Sequence, residues 1–402
     1  MEQEQQTPHK RRVRYKGKYP KKFEEKYKEL QPEKYQDTIE HVIKKGNTPA
    51  GMHISIMVQE ILDTLKIQPG ETGFDATLGY GGHTKAMLAC LNGQGHIYAT
   101  DVDPEESAKT KKRLEELGYG EDILTIRLQN FCTIDEIAKE VGGFDFILAD
   151  LGVSSMQIDN PKRGFSFKVD GPLDLRLNQE AGISAAERLD TITREELAGM
   201  LYENSDEPYC EELAKAITDE IRKGSRIDTT TKLREVIEKT LDFLPEKEKK
   251  DTIKKTCQRT FQALRIDVNR EFEGLYEFME RLPDALKPGG RVAILTFHSG
   301  EDKLVKKALK EGCRAGIYAD YSKDVVRPSA QECAQNGRAR STKMRWAVRA
   351  EDHCYLSYAK SRFKYGKMEF CNPSRFLKDI DVRYLQVPQE ELMGTRIEEK
   401  AS

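Results

Sequence analysis

Residues 71–91 read E-T-G-F-D-A-T-L-G-Y-G-G-H-T-K-A-M-L-A-C-L. An apolar strand pattern (71–78) runs into three glycines in four positions, Gly79, Gly81 and Gly82, and then into a helical pattern (84–91) closed by Asn92-Gly93. Glycine lets a strand turn sharply into a helix and lets something approach the backbone closely, whether a ligand or the protein's own neighbouring helix. A strand, glycine turn and helix in this order open a nucleotide-type α/β domain.

The same alternation continues on both sides. V-Q-E-I-L-D-T-L (58–65) is helical, H-I-Y-A-T-D (96–101) is a strand, and S-A-K-T-K-K-R-L-E-E-L is a helix ended by Gly118. I-L-T-I-R-L (123–128) and F-D-F-I-L-A-D-L (144–151) are further strands. Strands separated by helices of this length imply right-handed βαβ units and a mostly parallel, Rossmann-like sheet. The rhythm breaks after residue 158. Residues 159 to 255 carry charged helical segments with capping boxes at Ser184…Glu187 and Thr193…Glu196, which predicts an all-helical insertion. From 256 the pattern resumes. Phe261, Leu264, Val268, Phe272, Leu275, Met279, Leu282 and Leu286 recur every three or four residues, predicting one long helix that K-P-G-G (287–290) stops. R-V-A-I-L-T-F-H (291–298) is a buried strand, a helix begins near Glu301, and R-W-A-V-R (345–349) is a further strand. The organisation expected is a basic extension (1–48), a core in two parts (49–158 and 256–349) around the insertion (159–255), and a tail (350–402).

With 66 Lys and Arg against 68 Asp and Glu, the net charge of -2 excludes a uniformly basic nucleic-acid binder. Between Lys10 and Lys22 there are eight Lys or Arg and no acid. That run is a solvated tail, or a phosphate-contacting arm with Tyr15 and Tyr19 for stacking. The eight cysteines form no C-x-x-C pair, so buried thiols are expected and no metal site. The start lacks a signal-peptide core, and no stretch approaches the roughly 18 apolar residues that span a bilayer. A reducing cytoplasm is expected.

Ligands of an open parallel sheet gather beyond the carboxyl ends of its strands. Those ends carry the glycine turn, Asp101, Asp150-Leu151-Gly152 and Phe297-His298-Ser299. Asp101 lies twenty residues past Gly81, the spacing at which a carboxylate holds two ribose hydroxyls. A dinucleotide fingerprint requires a third glycine where Thr84 stands, and His83 adds bulk where a pyrophosphate wants room. The turn instead suits S-adenosylmethionine. At the end of the fourth strand Asp150 would accept a hydrogen from an attacking amine; capping the next loop is the lesser alternative. The Asp/Asn-Pro-Pro-aromatic segment of many amine methylases is absent. Ser299-Gly-Glu-Asp302 reads as a capping box, and His298 as a satisfied structural histidine. R-G-F-S-F-K (163–168) could stack a flipped-out base or fold both phenylalanines into the core.

D-A-T-L-G-Y-G-G-H (75–83), D-L-G-V-S-S-M-Q (150–157), R-G-F-S-F-K-V-D-G-P-L-D-L-R (163–176), R-T-F-Q-A-L-R-I-D-V-N (259–269), F-H-S-G-E-D (297–302) and N-G-R-A-R-S (336–341) together resemble the ribosomal RNA small subunit methyltransferase H family. The resemblance implies a class I S-adenosylmethionine-dependent methyltransferase fold with a helical insertion. It implies N4-methylation of a cytidine in the decoding region of 16S rRNA, within the small ribosomal subunit. It also implies that Gly81, Gly82, His83, Asp101, Phe131, Asp150 and Gln157 contact S-adenosylmethionine, with Asp150 nearest the chemistry. Gly300 departs from the usual leucine of F-H-S-L-E-D, His53-Ile-Ser-Ile-Met-Val stands for the family's H-T-x-V-L-L, and Tyr80 stands where arginine or glycine is common. A divergent paralogue methylating another RNA or DNA amine, a nicotinamide oxidoreductase and a non-catalytic RNA-binding assembly factor are the alternatives.

Overall fold

The computed structural model describes residues 55–351, 361–364 and 367–370; the basic extension and most of the tail fall outside that range. In the first half, α1 (Val58–Leu65), β1 (Thr72–Asp75), α2 (Gly82–Leu91), β2 (His96–Asp101), α3 (Pro104–Glu116), β3 (Leu124–Leu128), α4 (Ile134–Val141) and β4 (Phe144–Asp150) follow the predicted alternation. A short helix, α5 (Ser155–Asp159), leads into α6 (Ala185–Thr191), α7 (Arg194–Ser205), α8 (Cys210–Arg222), α9 (Thr230–Thr240) and α10 (Glu246–Asn269). Then come α11 (Glu271–Ala285), β5 (Leu286–Thr296), α12 (Ser299–Arg314), β6 (Tyr318–Tyr321), α13 (Ala330–Gln335) and β7 (Lys343–Arg349).

Seven strands form one sheet in the order β3-β2-β1-β4-β5-β7-β6. The first five pair in parallel, while β7 runs antiparallel between β5 and β6. This is the class I methyltransferase arrangement. The order reverses at β1, which has β2 on one side and β4 on the other, so the crevice for a ligand opens above β1 and β4. Both faces of the sheet are covered. Phe74, Phe144 and Ile147 pack with Leu275, Phe278 and Leu282 of α11, while Phe146, Leu148 and Leu295 pack with Ile61, Leu65, Met87 and Leu88 of α1 and α2. This explains why β4 reads as an unbroken apolar run: Phe146, Ile147, Leu148 and Ala149 are all fully buried.

The insertion has a hydrophobic core of its own, including Leu197, Leu213, Ile217, Leu233, Ile237, Phe261 and Leu264. Its helices start where the sequence placed them, since Ser184 with Glu187 and Thr193 with Glu196 form reciprocal capping boxes. The single long helix expected over 261–286 is two helices. Arg270, at φ 51° and ψ 45°, breaks it, and Asn269 holds the break by donating to the carbonyls of Leu175 and Arg265. The apolar stripe therefore serves two cores, Phe261 and Leu264 the insertion and Leu275 and Leu282 the sheet. The boundary drawn at 255/256 falls inside α10 for the same reason. K-P-G-G belongs to β5, which starts at Leu286 with a register shift against β4, and β6 was not expected. In the separate unit beyond residue 350, β8 (Ser361–Lys364) and β9 (Lys367–Phe370) form an antiparallel hairpin.

Candidate active site

A cavity of about 530 Å³ lies over the carboxyl ends of β1, β2, β4 and β5, and its walls include the glycine turn, Asp101, Phe131, Asp150 and Gln157. That volume suits a nucleoside-sized ligand with part of a substrate. The turn's backbone borders the cavity, yet its missing side chains are demanded from behind by the protein itself. Gly81 has φ +78°, and a Cβ there would lie 2.7 Å from Thr110 Cγ2 of α3; one at Gly82 would lie 2.0 Å from Ser55 Oγ. The Thr110 hydroxyl donates to the Gly79 carbonyl at 2.6 Å, and Arg113 donates to the Tyr80 carbonyl at 2.8 Å. The Arg113 guanidinium also covers the Tyr80 ring, 3.5 Å from its centre. Tyr80, which the sequence left unexplained, is thus a cation–π partner that clamps the turn to α3.

Asp101 closes β2 beside the turn. Its Oδ2 accepts from the Gly79 N–H at 2.8 Å and its Oδ1 from the Asp103 N–H at 2.9 Å, which fixes the carboxylate with lone pairs left for a ribose. Burial outweighs these two amides and pushes its pKa up to about 6. Phe131, in the turn after β3 capped by Asn130, meets Phe278 edge-on at 5.3 Å and presents a flat apolar wall to the cavity.

Beneath the turn three ionisable groups are stacked. Asp75 is fully buried, accepts from the Thr84 hydroxyl at 2.7 Å, and is held above the usual carboxylate range by that burial, against the opposing pull of Thr84 and His83. His83 Nε2 contacts the Ile56 carbonyl at 2.9 Å, and Nδ1 lies 3.4 Å from Asp150 Oδ2. A carbonyl can only accept, so Nε2 carries the hydrogen, and Nδ1 meets a carboxylate favourably only when it is protonated too. Burial pulls His83 down, but the hydrogen bond and charge of Asp150 outweigh it and the net shift is upward. The other oxygen of Asp150, Oδ1, is buried and has no hydrogen-bond partner among the described residues. Asp150 does not cap the following loop.

The opposite wall comes from the junction of α10 and α11. Arg265 donates two parallel bonds to Glu271 at 2.8 Å each, and Asn269 accepts from the Leu177 N–H at 2.7 Å. Glu271, His298 and Glu301 place ligand-type atoms within 4.8 Å of one another, but both oxygens of Glu271 are taken by Arg265, which marks an ion-pair network. The capping box expected at Ser299 is not formed. His298 is the N-cap, and Glu301 reaches back to the Phe297 N–H at 2.8 Å. His298 Nε2 lies 3.2 Å from Glu301, and its ring meets Phe272 edge-on at 5.7 Å. Gly300 is explained by Phe272, whose Cζ would lie 2.6 Å from a Cβ at that position.

The structure thus brings Gly81, Gly82, His83, Asp101, Phe131, Asp150 and Gln157 to one cavity. It also gives two of them inward-facing work: the ring nitrogens of His83 are engaged as above, and Gln157 accepts from the Ser154 N–H at 2.9 Å and donates to Asp103 at 2.9 Å. R-G-F-S-F-K goes to the core, with Phe165 buried in the insertion and Phe167 edge-on to Phe261 at 5.8 Å. Sequence reasoning missed Asp75, Arg113 and the Asp103–Arg163 pair. Only Asp103 carried a signal, as the N-cap before Pro104.

A family described as the MraW methylase family matches residues 50–350. A protein named Ribosomal RNA small subunit methyltransferase H 1 from Agathobacter rectalis is 86% identical over 347 residues, covering 86% of this chain and 99% of its own length. A protein of the same name from Lachnoclostridium phytofermentans is 68% identical, covering 86% and 94%. Among solved structures, a SAM-dependent O-methyltransferase from Thermotoga maritima aligns over 80% of this chain and 72% of its own, at a TM-score of 0.35 and 11% identity.

Proposed function

The chain belongs to the MraW methylase family, and from that premise we propose that it methylates the N4 amine of a cytidine in the decoding region of 16S rRNA, within the small ribosomal subunit. The methyl donor is S-adenosylmethionine, which when bound supplies a methyl group on a positively charged sulfur. The relatives from Agathobacter rectalis and Lachnoclostridium phytofermentans are named as methyltransferases of small-subunit ribosomal RNA, and the match covers 99% and 94% of their length. The observation that carries the reading is the Asp150 carboxylate, 24% exposed at the wall of the same cavity as a ribose-ready carboxylate at Asp101.

The residues divide the work. Asp101 accepts the ribose hydroxyls, Phe131 offers a flat surface for a base, and the clamped turn gives a rigid floor. An exocyclic amine is a poor nucleophile because its lone pair is conjugated with the ring. The Asp150 carboxylate accepts one N–H of that amine and orients the nitrogen for attack. As the nitrogen gains the methyl it gives up a proton, which the Asp150 carboxylate takes. His83, 3.4 Å from Oδ2, holds the Asp150 carboxylate in place. The cytoplasm, where ribosomes are assembled, is the place this activity requires; among the described residues no helix is long and apolar enough to cross a membrane.

The test supplies purified protein and labelled S-adenosylmethionine to small subunits from a strain lacking the enzyme, and to naked 16S rRNA, followed by nucleoside mass analysis. N4-methylcytidine at one position is expected. Label in another nucleoside would move the substrate assignment, and binding of RNA without any turnover would favour an assembly factor.

A further inference from the structure

Behind Asp101 lies a buried ion pair that borders no part of the cavity. Asp103 is fully buried and Arg163 is 3% exposed, and an Arg163 nitrogen reaches the two Asp103 oxygens at 2.8 and 3.0 Å. The same carboxylate accepts from the backbone of Glu105 and Glu106, both at 3.1 Å, as the N-cap of α3, and from Gln157 Nε2 at 2.9 Å. Its own backbone N–H is one of the two that fix Asp101. Arg163 meanwhile donates to the Leu177 carbonyl at 2.8 Å, in the segment that Asn269 ties to α10.

Burying such a pair is costly, and well-packed apolar residues are often at least as stable in its place. Stability alone therefore does not account for it. What the pair does geometrically is set where residue 103 stands, and hence where its N–H meets Asp101. We propose that Arg163, at the threshold of the helical insertion, is a positioning residue for the ribose-binding carboxylate, acting through Asp103 without touching the cofactor. The proposal rests on the assignment of Asp101 to the ribose.

The experiment is a double-difference binding measurement by calorimetry on the full chain. S-adenosylhomocysteine is compared with its 2′,3′-dideoxyribose analogue for the wild type, Arg163→Met and Arg163→Lys. In the wild type the ribose diol should confer tighter binding. In Arg163→Met that advantage should shrink about tenfold, while affinity for the dideoxy analogue moves less than about twofold. Arg163→Lys keeps the charge but not the two-sided reach of the guanidinium, and should lose about threefold of the same advantage. It also serves if the methionine variant fails to fold. An equal loss for both ligands, or no loss for either, overturns the proposal. A wild type that binds both ligands equally removes the ribose from Asp101 instead, a separate failure.

Discussion

Asp150→Asn keeps the volume at the end of β4 but removes the basic oxygen. Turnover should fall at least about a hundredfold while S-adenosylhomocysteine still binds. Single-turnover rates beside calorimetry check this, and near-normal turnover would take Asp150 out of the mechanism. Asp101 gives a pH dependence of opposite character, because it acts on binding. Its pKa of about 6 is raised, and only the charged form has acceptors for both hydroxyls. Affinity should be constant well above pH 6 and weaken as pH falls through it, approaching about tenfold per pH unit below. Titrations of S-adenosylhomocysteine between pH 5 and 8 read this directly. A flat profile would show that Asp101 does not need its charge. Gly300 and Tyr80, two of the three departures from the family pattern, each answer to a local neighbour: the Phe272 ring fills the space of a leucine, and Arg113 stacks on the tyrosine.

Among the elements, the α10–α11 junction separates what sequence could show from what it could not. The strands and capping boxes were legible because their signals are local: apolar runs bounded by turns, and a Ser or Thr three residues before a Glu. The break at Arg270 was not. The apolar stripe crosses it in phase, no Gly or Pro marks it, and its cause is Asn269 bonding to Leu175, 94 residues away. Arg163 was illegible for the same reason, since its partner lies 60 residues upstream. The cavity residues at strand ends could be found by their spacing, whereas those that hold them in place could not. Because a non-glycine residue in the left-handed region costs roughly 1 kcal/mol, Arg270→Gly should raise stability by up to about that amount. Denaturant unfolding measures it; destabilisation would mean that the arginine side chain makes contacts outweighing the strain.

At the scale of the whole molecule, the sheet and the insertion have separate cores, and they should fail separately. Ile217 is fully buried in α8 among insertion side chains. Ile217→Ala should cost about 2–5 kcal/mol of stability while leaving cofactor affinity within about twofold. Thermal melts and calorimetry on the same sample test both halves of this statement. A matching loss of affinity would show that the insertion core also shapes the cofactor site.

The entry of the chain into the sheet domain has a practical consequence for where it can be cut. Ser55 lies against Gly82, the Ile56 carbonyl holds His83, and the Met57 N–H donates to Glu332 at 2.8 Å, all before α1 begins. Two residues ahead of α1, Ser55 and Ile56, are therefore part of the site's wall, and Met57 anchors them. A truncation at residue 49 leaves that wall whole, whereas one at Val58, the first helical residue, strips the acceptor from a buried histidine. The shorter protein should retain its helical circular dichroism yet lose most of its methyl transfer, so that a cut chosen by secondary structure alone would yield a folded and nearly silent enzyme.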